Sequence, residues 1–239
     1  FNFPYGNGYY QFYSRANDIA GNYEPAPDSA DAACGYDGAA PTSAVNTILP
    51  YWHTTKPITI TATAYDNTSG VKFVELWYRN STDNSTWSPW TLFGTDYTEP
   101  WSWSFNFPAN GFYIVNTTAV DIAGNRESNI TADAFCGFDN VSPISSVSAI
   151  SGYWQTASSL TLTATASDST SGLASVELWY RYSIDNMTWG VWTLNHTIIL
   201  PDNLEWNFVF PQNGYYEFYS RARDNAANYE NAPDQADAR

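Results

Sequence analysis

Positive charge is scarce in this chain: 9 Lys and Arg stand against 24 Asp and Glu in 239 residues, a net charge of −15. A surface this acidic repels phosphate, which argues against nucleic acid and anionic membranes as partners. Charged residues of both signs make up only 14% of the chain, so most of the surface must be neutral and polar, built from Ser, Thr, Asn, Gln and Tyr. Long apolar runs are also missing: none approaches the length of a membrane span, and these residues carry no basic-then-apolar leader. A signal or anchor would lie outside them.

Histidine is nearly absent. His53 and His196 sit at unmatched positions, and neither has Ser and Asp nearby in a nucleophile motif. There is no HExxH, no phosphate-binding glycine loop and no zinc-spaced Cys/His set. Acidic residues recur at turns throughout, which fits architecture better than one active site, so the expectation is a chain that is not an enzyme.

Cysteine is limited to Cys34 and Cys136, in matching settings: Cys34-Gly35-Tyr36-Asp37 and Cys136-Gly137-Phe138-Asp139. They lie one repeat apart, and a unit of that size is roughly 35 Å across. A disulfide needs Cα atoms about 4–7 Å apart, so an intrachain bridge would require the array to fold back on itself. Two readings stand: a small buried apolar residue at a strand end, or an intermolecular disulfide in an oxidising compartment.

What the chain does have is a repeat. The turn Asp121-Ile122-Ala123-Gly124-Asn125, led by Asn110-Gly111-Phe112-Tyr113 and followed by Glu127, occurs earlier as Asp18-Ile19-Ala20-Gly21-Asn22 and later as Asp224-Asn225-Ala226-Ala227-Asn228. Asp18, Asp121 and Asp224 stand 103 residues apart, a period of one small domain and longer than a solenoid unit. The division expected is residues 1–36 as the C-terminal half of a unit, and 37–138 and 139–239 as complete units. In the turn, Asp accepts backbone amides while Gly supplies a positive φ. Ala227 replaces that Gly in the third copy, so it must either avoid positive φ or hold some strain.

Within one unit the pattern is about seven short strands with a turn signal every ten or so residues, and no helical period. Residues 57–64 alternate as a half-buried strand should, and so do Trp101, Trp103, Phe105 and Phe107 against Ser102, Ser104 and Asn106. This predicts an all-β chain of tandem antiparallel immunoglobulin-like or fibronectin-III-like sandwiches. Its many tryptophans, at alternating positions, read as core or cross-strand pairs. Trp87 and Trp90, near a turn, are the exceptions that could meet a ligand.

Eight Asn-x-Ser/Thr triplets start at Asn67, Asn80, Asn84, Asn116, Asn129, Asn140, Asn186 and Asn195, against roughly four by chance. With scarce Lys and abundant Thr they point to an extracellular glycoprotein with N-linked glycans.

The segments Thr61-Ala62-Thr63-Ala64-Tyr65-Asp66, Ser69-Gly70-Val71, Val74-Glu75-Leu76-Trp77-Tyr78-Arg79 and Asp121 to Asn125 resemble the Ig-like tandem repeats of archaeal and bacterial surface proteins. The resemblance covers the whole chain. It implies a sandwich fold, placement on the cell surface and a structural or adhesive role. Such modules serve surface layers, filaments, adhesins and secreted hydrolases alike.

One constellation carries chemistry. In such a sandwich the loop after the second strand, the final hairpin and the entering linker meet at one pole. That gathers Asp66, Asp121 and Asp37, and in the next unit Asp168, Asp224 and Asp139. Either each Asp caps its own turn, or the three hold calcium, a hard cation bound by several oxygens. No other cofactor is expected. The function expected is a stiff rod or self-assembling filament or surface layer, through contact with identical subunits or adjacent repeats. The alternative is a carbohydrate-binding or spacer module of a secreted enzyme or adhesin stalk.

Overall fold

The computed structural model describes residues 1–128 and 131–239. A ribbon comes first, from β1 (Gly8–Phe12) and β2 (Ala32–Tyr36). Then follow β3 (Thr42–Val45), β4 (Trp52–His53), β5 (Ile58–Tyr65), β6 (Val71–Ser81), β7 (Thr91–Asp96), β8 (Ser102–Phe105), β9 (Gly111–Asp121) and β10 (Ala134–Phe138). The last group is β11 (Ile144–Val147), β12 (Ser159–Ser167), β13 (Leu173–Ser183), β14 (Thr193–Ile199), β15 (Glu205–Val209) and β16 (Tyr215–Asp224).

These strands build two Ig-like sandwiches. In the first, the sheet β3-β5-β8 faces the sheet β4-β10-β9-β6-β7; in the second, β11-β12-β15 faces β14-β13-β16. Alternation decides which side chains point inward. Ile60 on β5, Phe105 on β8, Val74 and Leu76 on β6, and Val115 on β9 are all wholly buried. The rings interlock: Phe105 meets Phe107 edge-on at 5.1 Å, and Phe107 stacks on Phe138 at 4.8 Å. Each buried ring contributes roughly 1.5–3 kcal/mol, so these aromatics dominate the core.

Two buried carboxylates join the sheets where no strand ladder does. Glu127 accepts the Ser43 amide at 3.0 Å and the Ala119 amide at 3.1 Å. Asp133 accepts the Val45 amide at 3.1 Å and the Thr117 amide at 2.8 Å. Each acid therefore bridges β3 to β9 across the sandwich. Glu230 and Asp237 repeat the arrangement between β11 and β16.

β9 departs from simple alternation, because both its faces are buried. Its outer face lies beneath a layer in which Glu75 pairs with Arg126 and the Arg79 guanidinium lies over the rings of Trp87 and Trp90, at 5.4 and 5.0 Å. β4 was not foreseen at all. It pairs in parallel with β10, Trp52 opposite Gly137 and His53 opposite Phe138. The ribbon differs from both sandwiches: no residue before Pro41 is buried.

Candidate metal centres at the junctions

Each carboxylate is placed by its own turn. Asp66 Oδ1 accepts the amides of Thr68 at 3.1 Å and Gly70 at 2.7 Å, which folds the loop between β5 and β6. Asp121 Oδ1 accepts the Asn125 amide and Oδ2 the Asn125 side chain, both at 2.8 Å, which closes the hairpin after β9. Asp37, on the linker from the ribbon, accepts the Ser69 amide on Oδ2 at 3.0 Å, while its own carbonyl accepts from Asn125 Nδ2 at 3.1 Å. The turns thus tie the linker down.

The next junction repeats this bond for bond. Asp168 accepts the amides of Thr170 and Gly172, and Asp224 the amide and side chain of Asn228. Asp139 accepts the Ser171 amide at 3.0 Å, and its carbonyl accepts from Asn228 Nδ2 at 3.0 Å. Ala227 answers the question its sequence raised: it takes a positive φ of 73°, at a strain of about 1 kcal/mol.

Turn capping and convergence are both present. One carboxylate oxygen from each of Asp37, Asp66 and Asp121 lies within 4.8 Å of the others, and the same holds for Asp139, Asp168 and Asp224. Asp121, Asp139 and Asp224 are wholly buried. At that separation each pair in the second cluster repels by about 3 kcal/mol at an effective dielectric of 20. Burial pushes the Asp224 carboxyl up, its bonds to Asn228 oppose this, and the charges of Asp139 and Asp168 add to the rise. Asp37 goes the other way, its hydrogen bond with Ser69 holding its carboxyl below the usual value.

The donor set fits a hard cation. All the ligands are oxygen, with no thiolate or imidazole to favour zinc. Two Ca–O distances of 2.3–2.6 Å end to end span about 5 Å, which matches the cluster.

The remaining expected sites fare differently. Cys34 is exposed, but Cys136 is fully buried and its thiol is pushed up to about 12 by burial. An intermolecular disulfide through Cys136 is therefore corrected: it is a core residue that no neighbouring molecule can reach. Asn67, Asn84, Asn140, Asn186 and Asn195 are exposed, and Asn80 is half-buried. Asn116 is also corrected as a glycan acceptor, since it is 2% exposed and its Nδ2 donates to the Thr131 carbonyl at 2.6 Å. Asn129 lies outside the described residues. Trp87 and Trp90 are occupied by Arg79 rather than standing open to a ligand. His53 is half-buried against Phe107, and burial lowers its pKa. His196 is exposed on β14, far along the chain from any matching group.

Glu127 and Asp133 were the residues sequence reasoning passed over. Their signal was the recurrence of Glu24, Glu127 and Glu230 after each turn.

The pattern of a bacterial Ig domain matches residues 52–132. No curated protein matches the chain. Among solved structures, the fibronectin(III)-like modules of Clostridium thermocellum CbhA align at 20% identity and a TM-score of 0.38, over 80% of this chain and 90% of theirs. A structure of carbohydrate-binding modules from the β-sandwich superfamily aligns at 9% identity and a TM-score of 0.31, over 82% of this chain and all of its own. The stretch from β4 to the segment before β10 is thus a bacterial Ig-like domain in sequence, and the chain around it is all-β, with Ig-like sandwiches in fold.

Proposed function

We propose that this chain is a non-catalytic structural section of an extracellular surface protein, a rod of Ig-like sandwiches whose joints are stiffened by calcium. The observation that carries this is the recurrence, at both junctions, of the same three carboxylates and the same Asn-to-linker bond. A turn needs one Asp; three converging from linker, loop and hairpin serve the joint. Asp37 and Asp139 bring the linker, Asp66 and Asp168 the loop, and Asp121 and Asp224 the hairpin. A bound cation would supply charge neutralisation, offsetting repulsion among carboxylates that the fold forces together. The exposed Asn-x-Ser/Thr sites support an outer, glycan-bearing surface, and the acidic, largely neutral exterior supports partners of the same kind.

Calcium binding of extracellular modules is weak, about 0.1–1 mM. At about 10 mM calcium, mass action then stabilises each site by roughly 1.4–2.7 kcal/mol. The test is thermal melting and small-angle scattering in calcium and in EDTA. The expected result is a higher Tm and a longer, stiffer particle in calcium, both lost in Asp121→Asn and Asp224→Asn. Identical melting and scattering in the two buffers would overturn the calcium joint.

A further inference from the structure

The two sandwiches differ in one place, and that place is a cavity. In the first, β10 lies between β4 and β9, with Cys136, Gly137 and Phe138 opposite Tyr113, Phe112 and Gly111. Gly137 runs under the Trp52 ring so closely that a Cβ there would stand 2.3 Å from its carbons, and Phe138 stacks on Phe107. In the second sandwich a cavity of about 700 Å³ lies at the equivalent position, lined by Trp154, Phe210, Tyr216, Phe218 and Arg239 among others. Trp154, Phe210 and Tyr216 occupy the repeat positions of Trp52, Phe107 and Tyr113. Trp154 is 70% exposed, where its counterpart is half-covered. The cavity is therefore shaped for a strand of the form Cys-Gly-aromatic.

The chain holds one other such segment, Cys34-Gly35-Tyr36 in β2. It is exposed throughout, paired only with β1 in a ribbon without a buried residue. Two-stranded ribbons of this kind are marginal on their own. Gly35 has no use in the ribbon: a Cβ there would meet nothing closer than Tyr9 Cδ1 at 4.0 Å, and its φ is not positive. A tryptophan ring lying over it, as Trp52 lies over Gly137, would require glycine. The linker also matches. Asp139 follows Phe138, donates its amide to the His53 carbonyl at 2.9 Å and enters the next cluster. Asp37 follows Tyr36 and is already in its cluster with Asp66 and Asp121.

We propose that the cavity of the second sandwich takes Cys34-Gly35-Tyr36 of a second copy of this chain, by strand addition to β16. Cys34 then faces Tyr216, Gly35 passes beneath Trp154, and Tyr36 stacks on Phe210. Copies join head to tail, with Asp37 continuing into the next sandwich as Asp139 does within one chain. This rests on the self-associating rod reading and names its joint.

Cys34 reports the event, since it is the exposed thiol and Cys136 is a buried, silent control. The full chain is labelled with a maleimide over a concentration series while sedimentation velocity follows its size. The expected result is oligomers at high concentration with Cys34 labelling slowed at least about tenfold. Gly35→Ala, which fits its own ribbon, should abolish both effects. An excess of the peptide of residues 32–38 should cap the cavity and return the chain to monomers. A chain that stays monomeric at several hundred micromolar with Cys34 fully reactive overturns the proposal. So does a peptide that binds while the chain stays monomeric, which would give the cavity to another strand. Melting in EDTA reads the calcium joint separately, so failure of one does not count against the other.

Discussion

Gly137→Ala is the sharpest perturbation the fold offers. The residue sits on β10 opposite Trp52, in an ordinary extended conformation that alanine also adopts, so backbone strain plays no part. The new methyl would stand 2.3 Å from two carbons of the indole, and the ring would have to retreat by roughly 1.2 Å to regain van der Waals distance. It has little freedom to do so, because it packs edge-on against Phe112 at 5.1 Å and against Tyr51 at 5.3 Å. Displacing it also disturbs the parallel pairing of β4 with β10, including the Gly137 amide bond to the Tyr51 carbonyl at 2.7 Å. Overpacking of this kind costs about 2–3 kcal/mol. At a slope of about 1.5 kcal/mol per M, the urea midpoint of this sandwich falls by about 1–2 M. Tryptophan fluorescence during urea unfolding measures it, with Gly35→Ala as the matched control within about 0.5 kcal/mol of the parent. A Gly137→Ala chain that unfolds at the parental midpoint would refute the packing argument, and with it the reason given for glycine in the second-copy joint.

The turn copies make a second test: Ala227→Gly relieves the positive-φ strain and should stabilise its sandwich by about 0.5–1 kcal/mol, while Gly124→Ala should cost about 1. Calorimetric melting of the pair reads both signs. Asp224 and Glu75 should give opposite pH slopes. The folded pKa of Asp224 is raised, so in EDTA its contribution is greatest at low pH and falls as pH climbs from the unfolded value through the folded one. The Glu75 carboxyl is held low by its hydrogen bond with Arg126, so its contribution is complete above the unfolded value and is lost as pH falls through the folded one. Stability against pH for Asp224→Asn and Glu75→Gln tests each sign, and calcium should flatten the Asp224 slope. Glu217 is 2% exposed and pairs with both Arg181 and Arg239. Glu217→Gln should cost about 2–3 kcal/mol, at the low end for a buried pair because both arginines keep contact with water and tryptophan. Loss of less than about 1 kcal/mol in urea would mean that water replaces the pairing.

The strands were legible because they alternate: Ile60, Val74, Leu76, Trp103 and Phe105 fall inward wherever period two puts them. The Asp clusters were legible too, since strand order alone brings the two loops and the linker to one pole. β4 was not, because two residues between Pro50 and Pro57 carry no period and their partner lies on a distant strand. Asn116 read as an accessible glycan site because its triplet is local, whereas its burial comes from the Arg and Trp layer over β9. Cys136 left two readings open for the same reason: only packing separates a core thiol from a joint.

The parallel pairing of β4 with β10 sets how the rod behaves under tension. Load enters each sandwich at the linker before β3 and leaves at the end of β10, so the two strands are drawn in opposite directions along their own length. Their bonds, with the Asp139 amide held by the His53 carbonyl, lie across that direction and must yield together rather than unzip one by one. Forced unfolding is governed by the barrier under load and not by equilibrium stability. A sandwich of ordinary stability can therefore resist stretching well beyond what its melting temperature suggests.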